Sequence, residues 1–134
     1  MWLALLSLAH AEPGVVTGST APSFTILDGK STATLLLGPS TGSSRAALDA
    51  LTFEAGAVVP AHVHEASDEL LYVVSGKVEL TMGGRTVTAG PGDAILVPQG
   101  VEHAARAVEA AKLVQVYVGP GPEERFRAGT PRKP

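Results

Sequence analysis

Three of the four histidines in this chain, His62, His64 and His103, share their surroundings with one carboxylate, Glu69. Imidazole nitrogens with a carboxylate oxygen suit one divalent transition metal ion: iron, manganese, zinc, nickel or copper. His62 and His64 are two residues apart. In a strand, side chains at i and i+2 leave the same face, so both rings can address one centre. Glu69 follows after Glu65 to Asp68, a gap long enough for a turn and re-entry into the next strand. His103 returns much later. Four protein ligands on an ion that accepts five or six leave one or two positions for water, O2 or a bidentate substrate. Glu65 and Asp68 read as solvated turn residues rather than orienters of a ligand imidazole. No other catalytic set is present: there is no P-loop, dinucleotide fingerprint, nucleophile elbow or cysteine, and no residue is assigned as an acid or base.

Short strands must position these side chains. Ser23–Leu27, Ala33–Leu37, Ala46–Phe53, Lys77–Met82, Arg85–Ala89, Asp93–Val97, Glu102–Ala107 and Ala111–Val118 read as strands, and Gly38–Ser44 as a loop. Ala46–Phe53 also contains good helix formers, but it feeds directly into the histidine segment and is read as a strand. Lys77–Met82 alternates, with Val78, Leu80 and Met82 on one face. Gly83-Gly84 is a two-residue hairpin turn. Asp93–Val97 is nearly all apolar, which calls for burial on both faces or cover from a neighbour. Val114, Val116 and Val118 share one side of their strand. Tyr72 has the opposite parity to Glu69 and should face away from the ligands and pack. Leu71, Val73, Val78, Leu80, Ile95 and Val97 are candidates for an apolar cavity wall. Regularly spaced short strands argue for an all-β sandwich or barrel.

The spacing resembles the cupin superfamily. Gly56, five residues, His62-x-His64, four residues, Glu69, six residues and Gly76 match its first motif. Gly92, five residues, Pro98-x-Gly100, two residues and His103 match its second. The second motif usually ends with Asn four residues after its His, where this chain has Ala107. The resemblance implies a small single-domain jelly-roll (cupin) β-barrel, with His62, His64, Glu69 and His103 as metal ligands. It also implies function classes: a metal-dependent oxidoreductase of the dioxygenase type on a small oxygen-bearing molecule, a non-catalytic metal- or small-ligand-binding protein, or a metal-dependent isomerase or lyase. Fold cannot choose among them. Small cupins commonly pair through sheet faces and edges, so a homodimer is expected.

The remaining composition narrows the classes. A chain of 134 residues that is 45% hydrophobic and 17% charged can build one core. A net charge of −3 gives no electrostatic case for nucleic acid. Met1–Ala11 (MWLALLSLAHA) resembles a secretory signal peptide ending in a small-x-small site, so export to the periplasm or outside is expected, with a cytoplasmic protein as the alternative. The apolar run is too short to span a bilayer, and no stable membrane insertion is expected. Residues 12–118 then form the cupin domain. Residues 119–134 read as a solvated, mildly basic tail anchored by Phe126.

Overall fold

Alternating inward and outward residues fold most of this chain into strands. The computed structural model describes residues 13–133. The expected signal peptide lies outside the described residues. The strands are β1 (Ser23–Ile26), β2 (Ser31–Leu37), β3 (Ala46–Phe53), β4 (Val58–His62), β5 (Asp68–Ser75), β6 (Val78–Met82), β7 (Arg85–Ala89), β8 (Ala94–Val97), β9 (His103–Ala107), β10 (Ala111–Val118) and β11 (Thr130–Pro131). They form two antiparallel sheets. One has seven strands in the order β11-β1-β2-β3-β10-β5-β8, and the other has four in the order β4-β9-β6-β7. From β3 onward the chain passes repeatedly from one sheet to the other, the jelly-roll pattern that the motifs imply. The two sheets face each other and do not close into one continuously hydrogen-bonded barrel.

The inner faces make the core. Ala33, Leu35, Ala47, Leu51, Val73, Leu113 and Tyr117 of the larger sheet meet Val78, Leu80 and Ala89 of the smaller. Gly83 and Gly84 both have positive φ, at 56° and 73°, as a tight hairpin between β6 and β7 demands. Gly76 has φ 80°, and a Cβ there would meet the Ala110 carbonyl oxygen at 2.0 Å. Only glycine lets the β5–β6 turn lie against the chain that enters β10. No helix among the described residues is long and apolar enough to cross a membrane.

One expectation is narrowed and two need correction. Residues 93–97 are not buried on both faces within the chain, because β8 is an edge strand of the larger sheet: Ile95 and Val97 are buried while Leu96 is 54% exposed, which leaves cover from a neighbour as the remaining alternative. Tyr72 faces away from the cluster as expected, but it does not pack and is 48% exposed. The segment after Gly119 is not a solvated tail. It forms a 3-10 helix, Pro122–Ala128, that buries Phe126 and also Glu123, and then β11, which pairs with β1. The Phe126 anchor was legible because one aromatic residue in a polar run needs a core to enter. The buried Glu123 was not, because its partner is a backbone group: the Gly121 amide donates to its Oε2 at 2.6 Å.

Candidate metal centre

β4 delivers His62 at its last residue, and His64 lies just beyond the strand. Only His62 is therefore placed by strand alternation. His64 is aimed by the loop that follows. The Gly100 amide donates to the His64 carbonyl, the Gln99 side chain donates to the Glu65 carbonyl, and the Gln99 amide donates to Asp68 Oδ1. Asp68 is thus a half-buried turn acceptor, and the Pro98–Gly100 turn of the second motif clamps the loop of the first. Glu69 enters from β5 in the facing sheet, and His103 opens β9, paired in register with His62.

The four side chains converge. Their donor atoms all lie within 4.8 Å of one another, and His64, Glu69 and His103 are buried. Donors about 2.1 Å from one ion sit up to roughly 4.2 Å apart across it, so the cluster needs little contraction to hold one. The ring centroids of His62 and His103 are 4.2 Å apart, and that of His64 lies 4.8 and 5.1 Å from them.

Two histidines are turned by their backbone. His62 Nδ1 donates to the Pro60 carbonyl at 2.7 Å, and His103 Nδ1 donates to the Val101 carbonyl at 2.9 Å. Each bond leaves Nε2 as the lone-pair nitrogen. Both Nε2 atoms are buried and without a hydrogen-bond partner. His103 Nε2 does lie 2.9 Å from Glu69 Oε2, close but not aligned as a hydrogen bond. Orphaned acceptors facing a carboxylate oxygen are what a cation would satisfy, so the residues fit a divalent transition ion. Burial pushes the Glu69 carboxyl up, but His103 and His64 outweigh it and hold the group at about 2. Burial pushes His62 down. Burial also opposes charge on His103, but Glu69 beside it raises that ring above its ordinary value.

The centre opens into a cavity of about 390 Å3. Leu51, Phe53, Val59, Leu71, Val78, Leu80 and Leu113 give it an apolar wall, with His62, Glu69 and His103 at its polar end. Of the wall residues expected from sequence, Leu71, Val78 and Leu80 line it; Val73, Ile95 and Val97 belong to the core behind.

Four residues near the centre were missed by sequence reasoning: Gln115, Tyr117, Asp49 and Arg125. Gln115 Nε2 donates to Glu69 Oε1, away from the histidines. Tyr117 is fully buried, and its ring lies 5.0 Å from that of His64. Burial and the nearby Glu69 push its phenol well above the ordinary range. Asp49 sits opposite Gln115 on β3, fully buried, with neither carboxylate oxygen hydrogen-bonded. Burial, then Glu123 and Glu124, raise it to about 7. A signal existed for Gln115 and Asp49: each is a polar residue on the buried parity of its strand. Ala107 replaces the usual Asn without loss of backbone pairing, since its amide donates to the Ala57 carbonyl and its carbonyl accepts from the Gly56 amide.

A family model described as Cupin domain matches residues 50–118. No curated protein matches the chain significantly. Among solved structures, an RmlC-like cupin from Shewanella frigidimarina is 18% identical, with a TM-score of 0.72 over 87% of this chain and 99% of that one. The polyketide cyclase RemF from Streptomyces resistomycificus is 23% identical, with a TM-score of 0.71 over 83% and 82%. A protein described as a predicted oxalate decarboxylase from Thermotoga maritima is 20% identical, with a TM-score of 0.69 over 80% and 100%. At these identities the likeness is one of fold.

Proposed function

The chain belongs to the cupin family, and from that premise we propose that it is a metal-dependent oxidoreductase of the dioxygenase type, acting on a small oxygen-bearing organic molecule. The observation that carries this is the buried His62–His64–Glu69–His103 cluster at the polar end of an apolar cavity. A redox-active ion held there would supply electrons to O2 and a point of attachment for a chelating substrate. The chain's own part is to hold, orient and exclude. Pro60 and Val101 fix the tautomers of His62 and His103. Gln115 holds one oxygen of Glu69 and leaves Oε2 to face the histidines. The apolar wall limits water around whatever binds and favours a ligand with a hydrocarbon body.

Oxygen uptake by the iron-loaded protein tests this. Catechol-like and β-dicarbonyl compounds are expected to provoke uptake in wild type and none in His103→Ala. Tight binding of such compounds with no oxygen consumed under any of the candidate metals would replace the proposal with a binding protein. Turnover of the zinc-loaded protein without oxygen would replace it with a Lewis-acid isomerase or lyase.

We also propose that the protein is a homodimer. Leu70, Tyr72, Val74, Leu96 and Val118 are exposed on the outer face of the larger sheet. They lie on adjacent strands, with Leu70 paired to both Leu96 and Val116. Lys112 and Asp68 stand at opposite ends of this face. An apolar centre with opposite charges at its two ends is complementary to itself, as a two-fold contact requires. Export with removal of residues 1–11 is part of the same account, and the mass of the native protein tests it.

A further inference from the structure

Two arginines line the cavity outside the metal cluster, and one of them, Arg125, has no carboxylate partner among the described residues. Arg125, on the 3-10 helix after β10, lines it together with His62, Glu69 and His103. Its Nη2 donates to the hydroxyl of the buried Tyr117 at 3.3 Å, and the Tyr117 ring in turn lies 5.0 Å from the His64 ring. The guanidinium therefore reaches the cavity beside the centre from an exposed position on its helix.

A guanidinium has five N–H donors in a planar fork. Among the described residues, Arg125 makes this one hydrogen bond to a neutral hydroxyl, lies over the Phe126 ring at 5.1 Å, and makes no ion pair. The contrast with its neighbours is direct. Arg106 also lines the cavity, but it is paired with Glu79 at 2.9 Å, and Arg127 is paired with Glu124 at 2.7 Å. Arg125 remains accessible, as a ligand contact must. Its helix is fixed: Phe126 and Glu123 are buried on either side of it, and β11 ties the segment to β1. Solvent and the Phe126 ring face this charge, and no carboxylate among the described residues pairs with it, so an anion in the cavity meets an unpaired guanidinium. A carboxylate matches the fork with two parallel bonds.

We propose that Arg125 is a specificity-determining residue, and that the cavity takes a monoanionic carboxylate with an apolar body, the carboxylate on Arg125 and the other end at the metal cluster. The chelating end rests on the proposed function; the contact with Arg125 does not.

Catechol and 3,4-dihydroxybenzoate share the chelating group and differ in one carboxylate. Calorimetry on the zinc-loaded full chain should show the benzoate binding at least about tenfold tighter than catechol. Arg125→Gln should remove that preference and leave catechol affinity unchanged, and Arg125→Lys should keep part of it. A preference undiminished in Arg125→Gln, or none in wild type when catechol binds, overturns the proposal. If neither chelator binds wild type, the chelation account fails on its own. Benzoate titrated into metal-free protein then decides: binding that Arg125→Gln abolishes upholds the carboxylate site, and absent or unaltered binding sinks it.

Discussion

Gln115 donates from Nε2 to Glu69 Oε1, while Glu69 Oε2 is the oxygen that faces His64 and His103 at 3.2 and 2.9 Å. One carboxylate is thus divided: one oxygen is anchored to β10, and the other is presented to the cluster. Such outer contacts set how well a ligand is preorganised. Gln115→Leu keeps all four donors but frees the anchored oxygen. Its metal affinity, measured by competition with a chromophoric chelator, is expected to fall about 10- to 100-fold. An unchanged affinity would mean that β5 alone orients Glu69.

A metal that binds only the folded chain stabilises it by mass action, about 2.7 kcal/mol at a hundred times Kd. Adding a metal to metal-free wild type is therefore expected to raise Tm by several degrees. His103→Ala should show little rise, since its donor set is reduced to three. Equal rises in both proteins would locate the binding elsewhere.

Asp49 gives a prediction in pH. Its carboxyl titrates at about 7 in the fold against 3.8 in an open chain, because burial, Glu123 and Glu124 oppose its charge more than Arg125 supports it. Below pH 3.8 it is protonated in both states and adds no pH dependence. Between 3.8 and about 7 only the unfolded chain ionises, so stability falls as pH rises, and above 7 the loss is complete. The full loss is of order 4 kcal/mol. Asp49→Asn does not titrate. Its Tm should match that of wild type near pH 4 and exceed it increasingly up to pH 8. A pH-independent difference would show that Asp49 is ionised throughout.

The outer face of the larger sheet tests the assembly. Wild type should scatter light as a dimer at micromolar concentration. Leu96→Glu, which puts a charge in the middle of the exposed apolar strip, should scatter as a monomer with unchanged metal affinity. A monomeric wild type would require another explanation for Leu70, Tyr72 and Leu96.

The fold and the cluster were legible because they rest on local rules. Alternation in Lys77–Met82 places Val78 and Leu80 inward, and Gly83-Gly84 can form the turn their φ values require. The spacing of His62, His64, Glu69 and His103 marked the residues that meet. Arg125 was not legible, since a basic residue in a run such as Glu124-Arg125-Phe126-Arg127 is ordinarily solvated. Only the docking of Phe126 and the pairing of β11 with β1 bring its head group to Tyr117. The exposure of Leu96 was hidden for a related reason: an apolar strand does not reveal whether the layer covering it comes from its own chain.

The central claim is that His62, His64, Glu69 and His103 hold one ion. Metal analysis of protein purified from its own source, beside His62→Ala and His103→Ala variants prepared identically, tests it most directly. The account predicts about one equivalent of a transition metal per wild-type chain and less than about a tenth of that in either variant, with all three proteins folded. Wild-type protein without metal, or variants that retain the full equivalent, would contradict it.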